Sequence, residues 1–236
     1  MKQLATALLT LGACASFVQA QVVSFDFTTF DVDASDEVLT TGFFTDTIPS
    51  NGAVPVGTID ANLLQTTAFT HVGGSVSPAA PGDGYRVDFV STGGPDDASY
   101  YSFTIQADTG FQLNLAGAEV SYEMGRPGGA GAPDWAISTS VEGLGVANAL
   151  ESQTGWGPGD NTPGSFIMPN DPLTYDGLTG PVEFRIYAGG GNGIFDINSF
   201  NVGGSVSAIP EPSTYALIIG VFVVGLAGLR RRSRAK

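Results

Sequence analysis

The chain has 236 residues, 42% of them hydrophobic, with nine Lys and Arg against 23 Asp and Glu, and a formal charge of −14. So acidic a chain weighs against nucleic acid as a partner, because that binding depends on neutralising phosphates with Lys and Arg. One cysteine and one histidine exclude a disulfide framework, a thiolate metal site and a zinc site built from several His or Cys ligands.

The chain opens with Met1-Lys2, an apolar stretch from Leu4 to Ala13, and Val18-Gln19-Ala20. These match the basic n-region, h-region and cleavage positions of a secretory signal peptide. Residues 1–20 are expected to be removed after Ala20, leaving Gln21 as the mature start. Leu11-Gly12-Ala13-Cys14 offers a competing lipobox, in which Cys14 is lipidated. Cleavage after Ala20 is preferred because strand-like sequence begins right after Gln21. From Gln21 to Ile209 there are 22 acids and three bases (Arg86, Arg126 and Arg185), a net −19. The stretch has the size of one domain and can bury a core without disulfides. Its acidity favours solubility outside the cell.

Period-two alternation recurs along this domain, and no sustained 3.6-residue pattern does. Val23, Phe25 and Phe27 predict a first strand; Phe43 and Phe44 start another that ends before Pro49, and 49–55 is loop. Further strands are expected at Tyr85–Phe89, Ser99–Ala107, Phe111–Leu115 and Ala118–Met124. Trp135, Ile137 and Val141 mark the next, followed by Val182, Phe184 and Ile186, and finally Ile194–Val202. Gly, Pro, Asp and Asn clusters such as Gly93-Gly94-Pro95-Asp96 punctuate them. The expectation is an all-β, antiparallel β-sandwich of jelly-roll, lectin-like type over 21–201. Leu144–Leu150 reads as a helical turn and Ser152–Asp171 as a long loop. Val202–Ser207 repeats the hexapeptide at 72–77, and 202–209 reads as a flexible stalk.

No catalytic constellation emerges. His71 lies in no Ser or Asp motif and reads as a turn-proximal side chain. Asp31, Asp33 and Asp36 space oxygen ligands as a calcium loop does. The chain has Asp36 where such a loop has its sixth-position glycine and Gly42 where it has the twelfth-position Glu. No cofactor is expected, with calcium at these aspartates the one open possibility. Glu119 with Glu123, and Asp134 with Glu142, are the pairs a carboxylate hydrolase would draw on. For sugar binding the candidates are Trp156 in the Gly-rich loop, then Tyr100 and Tyr187, which alternation points away from their apolar neighbours. Trp135 and Tyr122 are assigned to the core.

The tail is the most specific stretch. Pro210-Glu211-Pro212 precedes an uncharged apolar run, Tyr215–Leu229, and then Arg230, Arg231, Arg232, Arg234 and Lys236. A helix over that run would be about 22 Å long, short against the roughly 30 Å hydrocarbon core. It spans only with Thr214 and snorkelling arginines at the boundaries. The basic end should stay cytoplasmic. A tail anchor behind a proline-rich stalk would have the same outline.

Triplet, short apolar helix and arginine cluster in this order resemble the PEP-CTERM sorting signal of bacterial exosortase substrates. The resemblance covers residues 210–236. It implies that a membrane-embedded, exosortase-type enzyme recognises Pro210, Glu211 and Pro212 and processes the chain there. It also implies transient membrane anchorage through the helix, then transfer to the cell surface or polysaccharide matrix. A lipid on Cys14 would be redundant beside such a signal. Glu183–Tyr187 and Phe195–Asn198, with the strands before them, are also similar to a common ectodomain of these proteins, one resembling carbohydrate-binding sandwiches. The expected function is a secreted, non-enzymatic surface or matrix protein. The alternatives are an exopolysaccharide-binding module and, behind it, a carboxylate hydrolase.

Overall fold

Strands whose side chains alternate between apolar and polar can bury one face only by stacking against a second sheet. The computed structural model describes residues 20–27, 56–76, 85–88, 93–125, 134–155, 162–190 and 194–210. Its first strands are β1 (Ala20–Asp26), β2 (Val56–Ile59), β3 (Leu63–Val72), β4 (Ser75–Val76), β5 (Tyr85–Asp88), β6 (Tyr100–Ala107) and β7 (Phe111–Asn114). They are followed by β8 (Glu119–Gly125), β9 (Asp134–Thr139), β10 (Glu151–Gln153), β11 (Thr162–Ile167), β12 (Val182–Gly189) and β13 (Ile194–Ala208). A 3₁₀ turn covers Val146–Asn148, and a four-residue helix, α1, covers Pro172–Tyr175. The molecule is the all-β, antiparallel sandwich its patterning predicts.

One sheet runs β11-β8-β13-β1-β2, with β5 and β7 also pairing β13 and β4 pairing β5; the other runs β10-β9-β12-β6-β3. Between them lies an aromatic core. On β6, Tyr101, Phe103, Ile105 and Ala107 are buried while the residues between them are half-buried. The Phe103 ring lies 5.1 Å from Phe184 and parallel to it, 4.6 Å from Phe25 and 5.6 Å from Phe200. Trp135 meets Tyr122 of the facing sheet edge-on at 5.2 Å, so both belong to the core as expected. Each such side chain contributes about 1.5–3 kcal/mol through burial.

Three stretches, 56–76, 152–171 and 202–209, depart from the sequence reading. β3 went unpredicted because its register against β6 shifts between Gln65 and Thr67 and again between Thr67 and Thr70. Such bulges break period-two alternation, and Phe69, Thr70 and His71 are buried in succession. The expected loop 152–171 contains the end of β10 and all of β11, which pairs with β8 from Thr162↔Met124 to Ile167↔Glu119. Pro163 is tolerated because β11 is an edge strand. At Gly164 a Cβ would run into the Tyr122 ring.

The third departure is the stalk at 202–209. Residues 202–208 are the end of β13, and Ser205–Ala208 pair with Asn114–Phe111 of β7. The strand changes partners at Gly204, whose φ of 129° favours glycine and where a Cβ would sit 2.6 Å from the Asn114 carbonyl oxygen. The glycines that read as linker are there for close backbone approach. The Phe43–Phe44 strand and the 49–55 loop lie outside the described residues.

Candidate functional site

Directly paired residues on antiparallel strands project to the same face. Tyr187 of β12 pairs with Tyr100 of β6 and with Ala136 of β9, so both tyrosines stand on the outer face of the five-stranded sheet. Arg185 and Glu183 follow on that face. The Tyr100 and Tyr187 rings are 5.5 Å apart, and the Arg185 guanidinium carbon sits 4.2 Å above Tyr100. Arg185 Nε donates to the Glu183 carboxylate at 2.6 Å. On either side, the Ser138 hydroxyl lies 3.5 Å from the Tyr187 hydroxyl, and the Thr70 and Ser102 hydroxyls are 3.3 Å apart.

One end of this face is walled. The backbone at Gly94 crosses so closely over Gly189 that a Cβ there would collide with the Gly94 carbonyl. Asp97 accepts from the Val146 amide at 2.8 Å, Asp96 from the Ala98 amide at 3.0 Å, and Asp134 from the Gly155 amide at 2.6 Å. The Asp97–Val146 bond ties loop 93–99 to the 143–155 segment, and the Asp134–Gly155 bond ties that segment to β9.

The outcome corrects the exposure expected of the aromatics. Tyr187 does point away from the core, yet it is fully buried, with Tyr100 of β6 and Ser138 of β9 against it. Tyr100 is half-buried, and Arg185 occupies one face of its ring. The Arg185–Glu183 pair supplies charge on that face beside those hydroxyls. Neither residue was nominated from sequence, although alternation with Tyr187 carries the signal. Trp156 lies outside the described residues, as do Asp31, Asp33, Asp36, Glu211 and Pro212. Among the described residues no group of three or more His, Cys, Asp or Glu is placed to hold a metal ion.

The other candidates have definite places. His71, next to last in β3, lies opposite Tyr101, is buried, and has its pKa lowered by that burial. Glu119 and Glu123 share one face of β8. At roughly 3.3 Å per residue they are about 13 Å apart along the strand, beyond the roughly 5–9.5 Å that glycoside hydrolysis uses. Asp134 holds the Gly155 amide, and Glu142 accepts the Tyr175 hydroxyl proton at 2.7 Å. Tyr175 resists ionisation, through burial first and that bond second. A buried bidentate pair, Arg86 with Asp196 at 2.8 and 3.0 Å, joins β5 to β13. Gln21 is exposed on β1 and pairs with Gly203; Pro210 is exposed beyond the end of β13.

No protein-family model and no curated protein matches the chain. Among solved structures, Xylanase10C from Cellvibrio japonicus, in complex with xylopentaose, aligns with 58% of this chain at 13% identity and a TM-score of 0.38. The alignment spans 25% of that protein's length, and a likeness so low carries no argument. Among the described residues no helix is long and apolar enough to cross a membrane, and the run 215–229 lies outside them.

Proposed function

We propose that this is a secreted, non-enzymatic cell-surface or extracellular-matrix protein, sorted by an exosortase-type membrane enzyme. The observation that carries the reading is the ordered series of Pro210-Glu211-Pro212, an uncharged run at 215–229 and a basic cluster at 230–236. An exposed Pro210 immediately after the last strand is compatible with access by an enzyme. The test is fractionation followed by mass spectrometry of the protein's C-terminal peptide. A species lacking the residues beyond the triplet is expected outside the cytoplasmic membrane. Recovery of intact chain alone, with its arginines, would replace sorting by tail anchorage. A tail deletion that leaves the destination unchanged would also overturn it.

A second reading is a glycan-binding module of the exopolysaccharide matrix. It is favoured by the half-exposed Tyr100–Arg185–Glu183 group, which offers hydrogen bonds to hydroxyls at a locally neutral pair. A domain at −19 repels acidic polymers, so the ligand would be a neutral glycan or one bridged by calcium. A glycan array with and without calcium, repeated with Arg185→Ala and Trp156→Ala, tests it. Binding abolished by Arg185→Ala places the ligand on the outer face, and no binding in any condition removes the module.

A further inference from the structure

β1 is antiparallel to β13, with Ala20 opposite Gly204 and Asp26 opposite Ser199. The chain therefore enters the sandwich beside the place where it leaves. Ala20 lies level with Gly204, six residues before Pro210, which is roughly 20 Å of strand. β13 has 15 residues, about 50 Å end to end, so both exits belong to one half of the molecule.

Three backbone bonds knit that half into a continuous pole. The Asp60 amide donates to the Val22 carbonyl at 3.0 Å, the Asp108 amide to Asn62 at 2.9 Å, and the Ile209 amide to Gly110 at 2.8 Å. Turns 59–63 and 107–111 thus sit against the exit of β13. Loop 93–99 and the Tyr100–Tyr187 end of the outer face lie at the opposite pole, because β6 runs from Tyr100 there to Ala107 here.

We infer that the pole built from turns 59–63 and 107–111 faces the membrane surface while the chain is anchored, and that loop 93–99 faces away from it. The inference rests on the anchored state of the proposed function. It follows from tether length: residues 210–214, between Ile209, whose amide is bonded to Gly110, and the apolar run, reach at most about 18 Å. The N-terminal apolar stretch, before its removal, leaves from the same half and opposes tumbling. Thr109 is thereby held near the headgroups, and Ala98 stands roughly 30 Å further out along β6.

The test uses the full chain with Cys14→Ser, carrying either Thr109→Cys or Ala98→Cys, both exposed positions. Each is labelled with a fluorophore and reconstituted in phosphatidylethanolamine–phosphatidylglycerol vesicles bearing a headgroup nitroxide. Quenching at residue 109 several-fold stronger than at 98 is expected. Equal quenching at the two positions, or stronger quenching at 98, in chain that floats with the vesicles would overturn the orientation alone. Chain that fails to float would remove the anchored state, and with it the sorting reading on which the orientation depends.

Discussion

The two faces of the five-stranded sheet are both buried along much of their length, yet they are held differently. Inward, Phe103, Phe184 and Ile186 are fully buried, and the two phenylalanines are ordered by ring packing against each other, Phe25 and Phe200. Outward, Tyr187, Ser138 and Arg185 are held by a cation over a ring, an ion pair and facing hydroxyls. Apolar packing tolerates no lost volume. Polar packing tolerates lost volume better than a lost partner. Burial alone does not say which rule governs a position.

Truncations should separate the faces. Phe103→Ala is expected to cost about 3–5 kcal/mol, read as a shifted denaturant midpoint at unchanged slope. Asp196→Ala, which leaves the Arg86 guanidinium without that carboxylate, should cost a similar 3–5 kcal/mol. Replacing the pair by apolar residues of similar volume should recover most of it. On the outer face Gly189→Ala forces the 93–95 backbone away and should cost about 1–3 kcal/mol. Tyr187→Phe keeps the ring and should cost only about 0.5–1.5 kcal/mol. If Tyr187→Phe proved as damaging as Phe103→Ala, the outer face would be a second core and the contrast would fail.

Titration sharpens the comparison with smaller effects. His71 has a folded pKa below its ordinary 6.5, so the unfolded chain binds its proton first as pH falls. Stability should therefore fall below about pH 6.5 and level off once the folded state protonates too. At high pH the signs reverse in group and direction. Tyr122 is pushed up to about 12 by burial, aided by the Glu151 charge, and Tyr175 is raised as well. The unfolded tyrosines ionise near pH 10, so stability should fall from there towards pH 12. Thermal melts across both limbs check this, and His71→Gln should flatten only the acid one.

Alternation made the sandwich legible at β1, β6, β8, β9, β12 and β13, because their large apolar side chains recur at every second position, with a one-residue slip at the Ile197/Ser199 bulge of β13, even where β9 and β12 also bury the residues between. It failed at β3, where bulges place buried residues in succession, and at β11, where Thr162-Pro163-Gly164-Ser165 reads as a turn until a neighbouring ring claims the glycine. Tyr187 shows the limit most clearly. Its strand neighbours fix the side on which it projects, but the residues against it, Tyr100 and Ser138, come from strands distant in sequence. Arg185 was passed over for the same reason, since only the fold brings it above Tyr100.

The pairing of β1 with β13 also bears on the order of assembly. The Ser24 hydroxyl and the Asn201 side-chain oxygen, 2.6 Å apart, are separated by 177 residues of chain. Contacts of such range form late and slow folding. Were the chain exported as proposed, threaded amino end first through a membrane channel, it would present β1 early and its partner almost last. The first sheet could not close until residue 204 had emerged, so the sandwich would raise no folded obstacle to such passage. On that reading, native structure and the Pro210-Glu211-Pro212 triplet, six residues on, would reach the far side together.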